Sequence, residues 1–569
     1  MAGHSSQGGR GNHDPKPKPF SRLFNLLALE WSDISALIIY CVAVAILSLA
    51  TPIAVEALVN TVAFGVLLWP VIAISLILMS CLGLAAAIRA MQVFVVECLQ
   101  RRLFTRVVAD YANRFPALRL DNFDHRSGPE LANRFFDVLT LQKSISTLLL
   151  DGLAMVIMTF IGLLVLASYH PFLLGFDIVL VLLVSFLVLV LGWGGVRTSL
   201  DESHAKYDVA GWLEEVLRCH RLFKSSGGKQ WSLDRADALA SHYLDARKQH
   251  FSVIWRQTVF GMSTQVVASS ALLGLGGWLV ITRQLTLGQL VAAEMIVSLV
   301  VSSVSKMGKY AETWYDLLSS TEKIGLVTDL PLDRSGGEPL PDCESGLSLR
   351  VIRPDSQPWS MAPGEKIALT GPARSGKTRL MEVFCGMREP DGFVVEADGI
   401  DIRNLSLDSI REHTALVGEG TGLVQGTVLE NLRMGRAHVP LPAVVSALEM
   451  VGLRDAVQRL PHGLDTLVVP GGSPFSNIQE TLLTIARAIA GKPRLLAIDR
   501  VLDGLDSASL QTVLRAVAAP GVSWTLLLGT NRDEVMVRCD QIMTLKGGIG
   551  DIGQSHSHGN ESLAGGLAP

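Results

Sequence analysis

Six stretches of the chain are nearly unbroken runs of apolar residues, at roughly 35–59, 67–98, 145–168, 172–196, 253–282 and 287–305. Each is long enough for the roughly 20 residues of helix that cross the hydrocarbon core of a bilayer, so the pattern predicts six membrane helices. From about 346 onward, short β-rich runs alternate with helical ones, which predicts a separate α/β domain. Between the two, "TEKIGLVTDLPLDRSGGEPLPDCESG" has the Pro, Gly and Asp clusters of a linker. The expected divisions are a disordered cytoplasmic tail (1–19), a membrane domain with two cytoplasmic helical extensions (20–325), a linker (326–345), the α/β domain (346–554) and a polar tail (555–569).

Lys and Arg gather after the second run (from Arg101 to Lys143) and after the fourth (from Arg197 to Lys229), whereas the connections near 60–66 and at "SYHPF" have none. The positive-inside rule then places both termini and the two long connections in the cytoplasm, as expected for a multi-pass protein of the cell inner or plasma membrane. These connections read mostly as helix. "DESHAKYDVAGWLEEVLRCHRLFK" has apolar residues at helical spacing, and "DNFDHRSGPELANRFFD", broken at Gly128 and Pro129, is a candidate turn for contacting a soluble domain. Glu56, Arg89, Asp177 and Glu294 fall inside apolar runs. A charge at mid-membrane usually faces a cavity or a partner, so each is a candidate pathway residue, with structural pairing as the plainer alternative.

Composition supports the division: 49% of residues are hydrophobic and the mean hydropathy is +0.36, high for a wholly soluble chain. The net charge of -4 leaves no basic excess for a polyanion, so nucleic acid is excluded as an expected partner, and membrane lipid is expected. The seven cysteines are scattered, without C-x-x-C or metal-ligand spacing. "QSHSHGNES" near the C-terminus reads as a solvated end rather than a metal site.

The chemistry is concentrated in the α/β half. "KIALT" runs into "GPARSGKT", which fits G-x-x-x-x-G-K-[ST] over Gly371, Pro372, Ala373, Arg374, Ser375, Gly376, Lys377 and Thr378. Glycines let the backbone curl so that its N–H groups and the next helix N-terminus point at phosphate oxygens. Lys377 adds a point charge and Thr378 a hydroxyl for Mg²⁺, while Asp499, ending the apolar "LLAID", can complete the Mg²⁺ shell. ATP and Mg²⁺ are the expected ligands.

With these motifs the chain resembles an ATP-binding cassette (ABC) exporter half-transporter. The resemblance is carried further by "RQLTLGQLVAA" at the start of the last membrane helix, by "GTVLENL" (426–432), and by "IARAIAGKPRLLAID" (485–499). It implies an all-α six-helix exporter-type membrane domain fused to an α/β P-loop nucleotide-binding domain. Two cassettes would sandwich ATP between the phosphate loop of one and the signature helix of the other, closure driving export.

Set against that family pattern, four anchors are altered. Glu419 stands where a glutamine senses Mg²⁺ and the attacking water, and Arg500 where a catalytic glutamate follows Asp499. Asn531 replaces the switch histidine, and the signature becomes Phe475, Ser476, Asn477, Ile478 and Gln479. No Phe, Tyr or Trp lies between Tyr315 and Trp359 to stack on adenine, a loss on the order of 1–3 kcal/mol by analogy with base stacking. A general base typically contributes about 10²- to 10⁴-fold to rate, and an arginine cannot accept a proton at neutral pH. Ser476 and Gln479 keep the spacing of a capping box, so a helix start can still face a phosphate, though Asn477 and Ile478 replace glycines where backbone must approach closely.

Weak or partner-dependent hydrolysis is therefore expected, in a transporter paired with a second half-transporter, a heterodimer being favoured over a homodimer. Two other readings stay open: a nucleotide-sensing membrane scaffold that transports nothing, and an active homodimer in which Glu419 serves as base. The transported substrate is not legible in the membrane runs.

Overall fold

The computed structural model describes residues 19–63, 68–123, 128–353, 356–469, 471–545 and 552–557. They fall into two compact units: one runs to Leu118 and from His125 to Pro331, the other comprises Arg119–Asp124 and the chain from Leu332 onward. The expected N-terminal tail lies outside the described residues apart from Pro19, which begins the helix Pro19–Ala28.

Among the described residues of the first unit, six helices are long and apolar enough to cross a membrane: Trp31–Thr61, Leu68–Ala117, Leu131–Tyr169, Pro171–Leu191, Gly228–Ile281 and Leu287–Thr328. They coincide with the six predicted runs. At 1.5 Å per residue the 54-residue Gly228–Ile281 is about 80 Å long, far more than the roughly 30 Å of hydrocarbon, so much of it extends into water. The fourth crossing stops at Leu191, short of the expected residue 196, because a turn through Gly194 in the left-handed region (φ 85°) starts a new helix, Gly195–Arg218. At the other end of the unit the helix Met307–Thr328 continues into what the sequence pattern marks as linker.

The polar ends of these helices are tied by a buried cluster that periodicity does not reveal. Lys323, 2% exposed, pairs with Asp137 at 3.6 Å and lies over the Tyr207 ring at 4.2 Å, while the Tyr207 hydroxyl donates to Asp137 Oδ2 at 2.5 Å. A lysine is rarely so buried unless paired.

The second unit is built on six strands: β1 (Lys366–Thr370), β2 (Thr414–Val417), β3 (Leu495–Asp499), β4 (Thr525–Gly529), β5 (Gln541–Leu545) and β6 (Ile552–Ser557). Their order across the sheet is β6-β5-β1-β4-β3-β2, parallel except for β6. Every residue of β3 and β4 is buried, which is why "LLAID" and "TLLLG" read as continuous apolar runs rather than alternating ones. A four-stranded antiparallel sheet (Ser356–Met361, Leu349–Arg353, Val394–Ala397, Ile400–Asp401) accompanies it. β6 runs three residues past the expected domain end, into the polar tail, because its backbone pairs with β5 (Gln541 opposite Ser557); from 558 the tail lies outside the described residues.

Much of the expected linker also belongs to this unit. Leu340 is buried, its N–H donates to Ser409 Oγ at 2.9 Å, and Arg494 donates to the carbonyls of Pro341 (3.0 Å) and Ser345 (2.9 Å) while pairing with Asp398 at 2.7 Å. The segment Arg119–Asp124 joins the same unit: Asp121 pairs with Arg388, and Arg119 with Glu389 at 3.4 Å.

Candidate functional site

Parallel strands end on one edge of their sheet, and in open α/β sheets that carboxyl edge is where ligands bind. Here the C-terminal ends of β1, β4, β3 and β2 bring together the four stretches singled out by sequence. Leu369 pairs with Gly529, Gly529 with Asp499, and Ile498 with Val417. The residues that follow, namely the loop 371–378, Asn531, Arg500 and Glu419, are thus delivered to one place.

The loop folds as its glycines require. Gly371 has φ 137° and any Cβ there would collide with the Leu545 carbonyl oxygen. Arg374 holds a left-handed conformation (φ 63°) with its side chain exposed, and Gly376 (φ 92°) leads into the helix Lys377–Phe384. Lys377 is buried and its ammonium donates to the Gly371 carbonyl (2.7 Å), the Pro372 carbonyl (2.9 Å) and Ser375 Oγ (3.3 Å). Burial, and after it the charge of Arg500, hold its pKa below the usual lysine value, against the opposing pull of Asp499 and Asp503.

Thr378 donates its hydroxyl to Asp499 Oδ2 at 2.5 Å. The other oxygen, Asp499 Oδ1, is buried without a hydrogen-bond partner among the described residues. A buried carboxyl oxygen left so is poised for a cation, and a hydroxyl beside a carboxylate is a donor set suited to Mg²⁺. Gly529 makes room for it: a Cβ there would lie 2.7 Å from Oδ1.

Arg500 follows at once. Its backbone is left-handed (φ 57°), its N–H donates to the Gly529 carbonyl at 2.8 Å, and its 58%-exposed side chain places Nε 4.0 Å from Asp499 Oδ1. Asn531 accepts a hydrogen bond from Thr370 Oγ1 at 2.9 Å, directly before the loop. Next to it Thr530 donates to Asp503 Oδ1 at 2.5 Å, a bond that sequence reading did not anticipate. Glu419 is exposed in the turn after β2, beside Gly418, whose Cβ position is 3.4 Å from Asp499 Cβ.

The residues expected from sequence to stand at the signature form a separate helix start. Ser476 caps Asn477–Ala490: its Oγ accepts from the Gln479 N–H (3.3 Å) and its N–H donates to Gln479 Oε1 (3.0 Å), the capping box predicted from S-x-x-Q. Phe475 is half-buried against the domain core, whereas Asn477 and Ile478 are exposed. The turn carrying Glu419 and this helix are bound to each other, because Arg487 donates to the Thr421 carbonyl and, at 3.0 Å, to that of Gly422. Trp359, the first aromatic after Tyr315, stacks on Phe384 at 6.0 Å and packs against the core.

The membrane unit has its own candidate site. A cavity of about 880 Å³ is lined by residues of the first, second, third and sixth crossings, among them Arg89, Glu294, Met155, Met158 and Met295. Arg89 donates to Ser48 Oγ at 3.4 Å, and Glu294 Oε1 accepts from Ser298 Oγ at 3.4 Å while its Oε2 has no hydrogen-bond partner among the described residues. Glu56 is held instead by the Tyr169 hydroxyl at 2.8 Å, and Asp177 is buried among helices; neither lines this cavity. The four membrane charges thus separate by position, which sequence spacing does not reveal.

Comparison with known proteins supplies the context. Residues 356–502 match the family model described as ABC transporter, and 31–304 match that of the ABC transporter transmembrane region. An uncharacterized ABC transporter ATP-binding protein of Bacillus subtilis is 24% identical over 449 residues, 75% of this chain and 73% of its own length. ATP-dependent lipid A-core flippases of Thiobacillus denitrificans (27% over 467 residues, 79% of each chain) and Burkholderia orbicola (29% over 373 residues, 62% of this chain and 61% of its own) are also similar. In fold, a bacterial Atm1-family ABC exporter with ATP bound superposes with a TM-score of 0.79, at 18% identity, covering 93% of this chain and 96% of that one.

Proposed function

Because the chain belongs to the ABC transporter family, as a multi-pass half-transporter of exporter fold, we propose that it is the catalytically weak subunit of an exporter, with an ATP site that holds nucleotide better than it cleaves it. The observation that carries this reading is Arg500. At the position directly after Asp499, where the family pattern has its catalytic glutamate, the chain presents a permanently charged guanidinium, 4.0 Å from the carboxylate. Asn531 can orient a phosphate through a hydrogen bond but cannot carry the charge or proton of a histidinium.

The loop 371–376 and the helix after it bind the phosphates, with Lys377 turning from its own carbonyls to the ligand. Thr378 and Asp499 would hold Mg²⁺, which supplies charge neutralisation on the outer phosphates. Ser476 and the helix start behind it face the nucleotide of a partner cassette, and Asn477 and Ile478 weaken that contact by keeping backbone at a distance. A heterodimer with a better-equipped half-transporter is the assembly we favour, since a homodimer would repeat Arg500 and the altered signature in both sites.

For the substrate we propose an amphiphile of lipid type, carried through the cytoplasmic or plasma membrane with both termini on the cytoplasmic side. The flippases among the relatives support this class, and so does a cavity that mixes methionines, which repack easily, with an arginine and a glutamate.

Co-purification from the native membrane tests the assembly: a second cassette protein is expected, and ATPase activity of the pair well above that of the chain alone. If the chain alone hydrolysed ATP at the order of 10 s⁻¹ typical of enzymes, and Lys377→Ala abolished it, the weak-subunit reading would fail. Export that never depends on the chain, while ATP still stabilises it, would favour the scaffold reading instead.

A further inference from the structure

Resting on the amphiphile reading, we infer that Arg89 and Glu294 form a two-signed headgroup site in the membrane cavity, and that its ligand is a zwitterionic amphiphile whose head carries both a phosphate or carboxylate and an ammonium. The two side chains stand at nearly the same depth. Gly288, at the start of the sixth crossing, packs so closely on the first that a Cβ there would lie 2.7 Å from the Glu56 carbonyl oxygen. Counting away from that contact at about 1.5 Å per residue, Glu294 is about 9 Å along the sixth crossing, and Ser48, which accepts from Arg89, about 12 Å back along the first. Both charges line the same cavity.

They do not neutralise each other. Arg89 is held by the Ser48 hydroxyl at 3.4 Å and Glu294 Oε1 by that of Ser298 at 3.4 Å, and among the described residues neither joins an ion pair within 4.0 Å. Glu294 Oε2 is buried with no hydrogen-bond partner among the described residues. A serine leaves a charge uncompensated, and a charge so placed in a membrane is costly until a group of opposite sign meets it. An anionic head would satisfy Arg89 alone and a cationic head Glu294 alone, whereas a head with both signs satisfies both. The guanidinium fork suits phosphate or carboxylate oxygens, and a carboxylate with a free oxygen accepts from an ammonium.

The rest of the lining agrees. Lys306 lies about 18 Å beyond Glu294 on the same continuous span, and Asp151 faces the cavity from the third crossing, so two cations and two carboxylates leave the lining without net charge. That balance favours a ligand that is itself neutral overall. Met155 and Met158 offer adaptable apolar surface to its chain, and about 880 Å³ lies within the range that encloses a small ligand.

The test is equilibrium binding of radiolabelled lysophosphatidylethanolamine, a zwitterion, to the transporter purified from its native membrane in a non-ionic detergent, competed by lysophosphatidylglycerol, an anion, and by an alkyltrimethylammonium of equal chain length. The zwitterion is expected to bind about tenfold or more tightly than either competitor. Glu294→Gln should lose about tenfold for the zwitterion and take the anion at least as well, and Arg89→Gln should do the same in favour of the cation. Exchanging the charges, Arg89→Glu with Glu294→Arg, should restore the preference for the zwitterion, which a merely structural role would not do. A wild type that binds all three alike, or single variants that weaken all three equally, overturns the inference and leaves the amphiphile reading standing. Binding of none of the three, with the ATP-induced thermal shift intact, overturns both. An unchanged ATP-induced shift in each variant separates a ligand effect from misfolding.

Discussion

Replacing Lys377 by alanine probes the nucleotide site where its chemistry is most concentrated. In the ligand-free protein the ammonium makes three contacts, to the carbonyls of Gly371 and Pro372 and to Ser375 Oγ. Hydrogen bonds from a charged donor contribute about 1.5–3 kcal/mol, but removal also relieves the burial of the ammonium and its repulsion by Arg500. The net loss of ligand-free stability should therefore be small, about 1–2 kcal/mol.

The effect on ATP is larger. Losing one charge-assisted phosphate contact of about 3 kcal/mol weakens binding on the order of 100-fold. At an ATP concentration of about 100 times the wild-type Kd, ligand stabilisation is about 2.7 kcal/mol for wild type and falls to about 0.4 kcal/mol for the variant. Thermal unfolding of the detergent-purified chain, with and without ATP, reads this directly. The ATP-induced shift should fall to about a fifth or less while the ligand-free midpoint moves little. A variant that keeps the full wild-type shift would refute the assignment of 371–378 as the phosphate site.

Arg494→Ala removes a buried guanidinium from Asp398 and from the carbonyls of Pro341 and Ser345, and should destabilise the chain by about 3–5 kcal/mol in denaturant unfolding. An unchanged midpoint would show that these bonds do not hold the linker. Ser476→Ala deletes an N-cap and should lower stability by about 1 kcal/mol in the same assay, with Ser476→Gly costing only a few tenths. Glu294→Gln should shift the preference of the assembled transporter in proteoliposomes away from cationic and toward anionic amphiphiles, leaving the ATP Kd of the chain unchanged; an unaltered preference would remove Glu294 from the pathway.

The six crossings and the phosphate loop were legible because each is a local signal. A bilayer demands about 20 apolar residues in succession, and phosphate needs glycines and a lysine at short fixed spacing. The capping box at Ser476 was legible for the same reason, since its two bonds span three residues. Helix ends were less so: the fourth crossing stops at Leu191 because Gly194 turns left-handed, a backbone choice that apolar composition conceals.

What only the tertiary structure decided is which distant residues meet. Sequence alone shows that Asp499 is followed by an arginine, and it raises the expectation that Asn531 and Glu419 stand in altered positions. The parallel pairing of β1, β4, β3 and β2 gathers them on one edge and leaves Asp499 Oδ1 without a hydrogen-bond partner among the described residues, 4.0 Å from Arg500 Nε. The same holds in the membrane unit, where Arg89 and Glu294 face the cavity while Glu56 is tied to Tyr169, and in the burial of Lys323 against Asp137 and Tyr207. The physical reason is range: hydrophobic periodicity and loop chemistry act within a few residues, whereas a charge is defined by neighbours that strand order and helix packing bring from elsewhere in the chain.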